Sequence, residues 1–206
     1  MPANLTIVKV GNAKGESLMS LFSIVAREDF ISIVLDNEAS YPSVQPEHTI
    51  FREIIPNQSF FLYTGKVEIG EEAWKLAKIL AKQGLDLQES ALVIKHHWQR
   101  HSYSSMMNME AVIGGISRQK EIQYHIITAD EEMSSYYPKS GESLYYANDL
   151  SLQLKPMEVL AQKLMMKGMA SVSQAQKAQY ELFEDFTGVM PGTSSYPRCM
   201  VVEKPH

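Results

Sequence analysis

The chain of 206 residues carries a single cysteine, Cys199. No disulfide can close within it, so a secreted scaffold stapled by such bonds is excluded. It has no run of about 18 apolar residues, so no helical membrane span is expected. Positive charge is also scarce: 19 Lys and Arg face 24 Asp and Glu, a net charge of −5. A nucleic-acid binder needs a basic face to neutralise phosphates. The longest basic stretch, Lys95-His96-His97-Trp98-Gln99-Arg100-His101, has only Lys95 and Arg100 as full cations. Neither nucleic acid nor an anionic membrane surface is therefore an expected partner. The start, Met1-Pro2-Ala3-Asn4-Leu5, lacks the basic and apolar regions of a secretory signal, so a cytoplasmic location is expected. No Gly-x-Ser-x-Gly elbow and no dinucleotide fingerprint is present.

What is present suffices for a globular fold. The apolar fraction is 45% and the charged fraction 21%, and a chain of this size buries roughly 70% of its unfolded surface. Leu5–Val10 reads as a strand, and Ile31–Leu35 as another. Between them, Leu18, Leu21, Phe22 and Val25 fall at the spacing of an amphipathic helix ending near Glu28. Thr49–Ile55 and Ser59–Thr64 predict a hairpin around Pro56-Asn57-Gln58. Gly70–Gln83 predicts a helix closed by Gly84. Ala91–His96 is a short apolar run that favours a buried strand. Tyr103–Ile113 predicts a helix broken by Gly114-Gly115, and Glu121–Thr128 a strand. Residues 129–150 read as a long polar loop.

The C-terminal third is helical. Pro156 opens a helix to Lys167 with Met157, Leu160 and Leu164 on one stripe. A second helix, capped by Ser171 or Ser173, runs to about Thr187, with Val172, Ala175, Gln179, Leu182, Phe183 and Phe186 on one side. Arg198–Val202 could add an edge strand. The expected fold class is α+β, with a mixed, mostly antiparallel sheet, helices packed on one side and a C-terminal helical hairpin. Residues 1–150 would form the α+β domain, and 151–206 a hairpin and tail packed on it.

Chemistry-bearing patterns are few. His97 and His101 stand at the spacing zinc sites use on a helix, and His125 could join them from a neighbouring strand. No carboxylate lies between them as the His-Glu-x-x-His pattern requires. The loop Gly11–Ser17 sits between an expected strand and helix, but three residues separate its glycines and Glu16 stands where a phosphate loop needs lysine. Cys199 beside Arg198 could be activated by the cation, yet a catalytic thiol also needs a positioned base. No catalytic residue, cofactor or metal is expected.

Methionine is the unusual residue, with 12 copies. Met165, Met166 and Met169 crowd the end of a helix whose inward stripe is already filled, so some of them should lie outside the core. Unbranched, polarizable methionine adapts to varied apolar partners. Tyr136 and Tyr137 lie in the polar loop, and tyrosine is enriched at binding surfaces. These residues predict a non-enzymatic adaptor or chaperone-like protein that holds another protein in a hetero-complex on an exposed apolar patch of more than a few hundred Å². Assembly with further copies of the chain stays open. The composition is also that of small acidic adaptors of specialised bacterial secretion systems. The competing expectation is a small enzyme or ligand-binding protein whose pocket gathers His97, His101 and His125.

Overall fold

The computed structural model describes residues 21–36, 49–100, 109–128, 132–148, 155–187 and 197–205. The elements, in order, are β1 (Phe22–Arg27), β2 (Phe30–Leu35), β3 (Ile50–Ile55), β4 (Ser59–Thr64), α1 (Val67–Gln83), α2 (Leu87–Arg100), β5 (Glu110–Ile116), β6 (Ile122–Thr128), β7 (Ser134–Tyr136), β8 (Ser143–Ala147), α3 (Pro156–Lys167), α4 (Val172–Thr187) and β9 (Arg198–Glu203). The class is α+β, with antiparallel strands and a C-terminal helical pair. The strands form two sheets. One is four-stranded in the order β8-β1-β2-β9, the other five-stranded in the order β3-β4-β5-β6-β7.

Side-chain alternation explains how the sheets stack, since successive residues of a strand point to opposite faces. Phe22, Ile24, Ile31 and Ile33 of the first sheet share one buried cluster with Phe60, Leu62, Val112, Tyr124 and Ile126 of the second. The opposite face of the second sheet, through Phe61, Tyr63, Ala111, Ile113 and Ile127, packs on α1 and α2. The opposite face of the first, through Val25, Phe30 and Val34, packs on α3 and α4. The result is four layers: helix pair, sheet, sheet, helix pair. Each sheet has helices on one side only, and its other side meets the second sheet.

This layering corrects several element expectations. Phe22–Arg27 is a strand, not the end of a helix. All its residues but Arg27 are buried because both faces are covered, and the helix-like spacing at Leu21, Phe22 and Val25 is incidental. Residues 91–96 are helical, inside α2. Asp86 caps that helix, its Oδ1 accepting the Leu87 N–H at 2.8 Å while Glu89 Oε2 accepts the Asp86 N–H at 2.9 Å. The Glu89 contact is the return half of a capping box, while Asp86 receives the first helical N–H rather than the third. Residues 110–113 belong to β5 rather than a helix, and Gly114-Gly115 continue that strand. At Gly115 (φ 138) a Cβ would stand 2.2 Å from the Gln58 carbonyl oxygen, so glycine permits the tight pairing with β4. The segment read as a loop after residue 128 contains β7 and β8. The expected strand at Leu5–Val10 and the loop Gly11–Ser17 lie outside the described residues.

Other expectations hold. The β3–β4 hairpin forms, with a bulge between Glu53 and Ile55. Helix α1 ends at Gly84 in the left-handed region (φ 93). Ser171 accepts the Gln174 N–H at 3.3 Å at the start of α4, and β9 adds an edge strand along β2.

Candidate functional site

Helix α3 turns Pro156, Leu160 and Leu164 onto the first sheet. Met157 is not fully on that stripe; it is 36% exposed, and its Sδ accepts the Ala147 N–H at 2.9 Å. With the inward positions filled, the last turn projects Met165 and Met166 outward, 81% and 77% exposed. Met169 lies beyond Gly168 and packs partly against the α3–α4 core. Two of the three expected methionines therefore face outward, and the third is drawn in. Lys163 pairs with Asp185 at 2.7 Å and Lys167 with Glu181 at 2.9 Å. These pairs bridge α3 to α4 and border the methionines with charge.

The tyrosine pair divides. Tyr136 on β7 stacks on Tyr124 at 4.5 Å between ring centroids, nearly parallel at 5°, and packs against the core between the sheets. It anchors an edge strand. Tyr137 is 39% exposed and meets the His125 ring edge-on at 5.6 Å. Both lie at the β7 edge of the five-stranded sheet, whereas the methionines ride on a helix over the other sheet.

The histidines are likewise separate. His97 on α2 faces Glu72 of α1, with Nε2 3.3 Å from Oε1, and borders a shallow depression with Leu76, Val93, His96 and Arg100. His125 on β6 is fully buried. Its Nδ1 shares a hydrogen bond with Ser135 Oγ at 2.9 Å, and burial pushes its pKa down to about 4, against a smaller upward pull from Asp86. His101 lies outside the described residues. Among the described residues, no three His, Cys, Asp or Glu side chains are grouped to hold a metal ion. Cys199 is half-buried, and burial raises its thiol pKa. Gln176 Nε2 donates to its sulfur at 2.9 Å. The neighbouring Arg198 does not produce the low-pKa thiol that a nucleophile needs.

Sequence reading missed the buried polar groups. Gln179 of α4 is inserted into the first sheet: its Oε1 accepts the Ser32 hydroxyl at 2.7 Å, and its Nε2 donates to Ser23 O at 3.0 Å. Asp36 and Asn148 hold the entry to β1 by accepting the Leu21 and Phe22 N–H groups at 2.9 and 2.7 Å. Gln179 stood on the inward stripe of its helix, and a polar residue in that position was the available signal. Nothing local marked Asp36 and Asn148, because their partners are distant in sequence. At the turn between α1 and α2, Ser59, Asp86 and Arg118 line a cavity against the second sheet. No helix among the described residues is long and apolar enough to cross a membrane. The chain matches no family model and no curated protein.

Proposed function

We propose that this chain is a non-enzymatic protein-binding module, an adaptor or chaperone-like protein, whose contact surface is the exposed end of α3. The observation that carries this reading is the outward placement of Met165 and Met166, both more than three-quarters exposed. Leaving two large apolar side chains in water forgoes roughly 1.5–3 kcal/mol each that burial would provide. Covering them with an apolar partner surface recovers it. The interhelical pairs Lys163–Asp185 and Lys167–Glu181 supply a polar rim and hold the platform in one arrangement, the anatomy of an apolar centre bordered by polar groups. The partner is expected to present an apolar face with a mixed-charge border. Tyr137, on a different part of the molecule, is not needed for this contact.

Away from the methionines, His97 faces Glu72, His125 faces Ser135 and Cys199 accepts from Gln176, each a local structural contact. The test is site-specific cross-linking in the native cell, with a photoreactive residue at position 165 or 166, followed by mass spectrometry. One stoichiometric protein partner should be captured, and Met165→Lys with Met166→Lys should abolish its binding by more than about 10-fold. A partner that cross-links elsewhere and tolerates both substitutions would refute the assignment.

A further inference from the structure

A second site lies under the other helix pair, independent of the methionine surface. Where α1 turns into α2, a cavity of about 100 Å³ opens between the helices and the second sheet. Its inner wall is apolar, formed by Ile54, Ala77, Leu87 and Ile113. Three polar groups on this cavity have bonding capacity left over. Ser59 opens β4, and since Phe60 faces the other sheet, Ser59 faces the helices. It is 3% exposed, and its hydroxyl has no hydrogen-bond partner. Such a group is costly to leave unmatched.

Arg118, in the turn after β5, makes no ion pair and no hydrogen bond among the described residues. Its guanidinium lies against the bare backbone of Gly84, where a Cβ would stand 2.7 Å from Nη2. Asp86 uses Oδ1 for the Leu87 N–H and for Gln123 Nε2 at 3.4 Å. Its Oδ2 has no partner among the described residues. One cation and one anion therefore border the same cavity without neutralising each other. An anion alone would meet the Asp86 carboxylate, and a cation alone the Arg118 guanidinium.

We infer that this cavity binds a small zwitterion with a short aliphatic side chain, an α-amino acid of the size of valine. Its carboxylate pairs with Arg118 and accepts the Ser59 hydroxyl, and its ammonium pairs with Asp86 Oδ2. Its side chain fills the apolar end. The volume equals about three waters at liquid density, which suits two or three carbons and excludes an aromatic ring.

The test is an NMR amide titration of the full chain with L-valine. Glycine lacks the side chain, isovalerate the ammonium and isobutylamine the carboxylate. L-Valine should give saturable shifts at Ser59, Gly84–Leu87 and Arg118, with each of the three analogues at least about 10-fold weaker. Arg118→Gln and Asp86→Asn should each weaken valine by at least about 10-fold. Arg118 is exposed and asparagine caps helices as well as aspartate does, so both variants should melt as the wild type does. The inference is overturned by absence of saturable shifts, by shifts elsewhere, by an analogue binding as tightly as valine, or by wild-type affinity in either variant.

Discussion

His125 is a titratable base held where water does not reach. The ring is buried on the face of β6 covered by α2 and tied at Nδ1 to Ser135. Desolvation penalises the imidazolium, and the pKa falls from 6.5 to about 4. Between those values the unfolded chain takes up a proton that the folded chain refuses. Stability is therefore complete above about pH 6.5 and declines as pH falls toward 4. The gap is worth roughly 3 kcal/mol at most. His125→Gln keeps a hydrogen-bonding side chain and removes the titration. In urea unfolding at pH 7 and pH 4.5, the wild type should lose roughly 2 kcal/mol more than this variant. Equal losses would show that His125 is solvated in the folded protein.

At the scale of the element, Gly70 sets how closely α1 approaches β4. A Cβ there would stand 2.0 Å from Tyr63 Cε2 and 2.1 Å from Cδ2. The ring has nowhere to go: Tyr63 is fully buried, and its hydroxyl donates to Glu71 Oε1 at 2.9 Å. Glu71 is itself paired with Arg52 at 2.8 Å. Alanine would favour the helix by about 1 kcal/mol, but the overlap costs more. Gly70→Ala should lower stability by about 1–3 kcal/mol, read as a fall in Tm by calorimetry. An unchanged or higher Tm would mean that α1 shifts freely on the sheet.

The same scale explains which elements the sequence revealed. Helices α1, α3 and α4 have one wet face, so their spacing and caps stand out: Gly84 after α1, Pro156 before α3, Ser171 before α4. Strand β1 is covered on both faces, and Val25 between Ser23 and Arg27 interrupts the polar alternation of the face under α4. Helix α2 exposes Leu92 and Val93, so Ala91–Ile94 imitates a buried strand. The Asp86-Leu87-Gln88-Glu89 cap was the clue to its helical start. The outward methionines at the end of α3 followed from counting the filled inward positions. The cavity at Ser59, Asp86 and Arg118 did not, because those residues meet only through the packing of three elements.

Over the whole molecule, four layers sort the side chains by access to water. Met109 is 4% exposed and its Sδ accepts the Lys66 N–H at 3.0 Å, while Met165 and Met166 stand in solvent. Oxidation by dilute peroxide follows access. Peptide mapping should show sulfoxide first at Met165 and Met166 and last at Met109 among the described methionines. Comparable rates at Met109 and Met165 would contradict the layering. A further consequence follows from the bulge in β3 and the brevity of β7, which bound the five-stranded sheet. The first sets Glu53 outward and disrupts the row of amides, and the second offers only Ser134–Tyr136. An invading peptide thus finds no straight border along which to zip, and self-templated growth from that sheet is discouraged at both flanks.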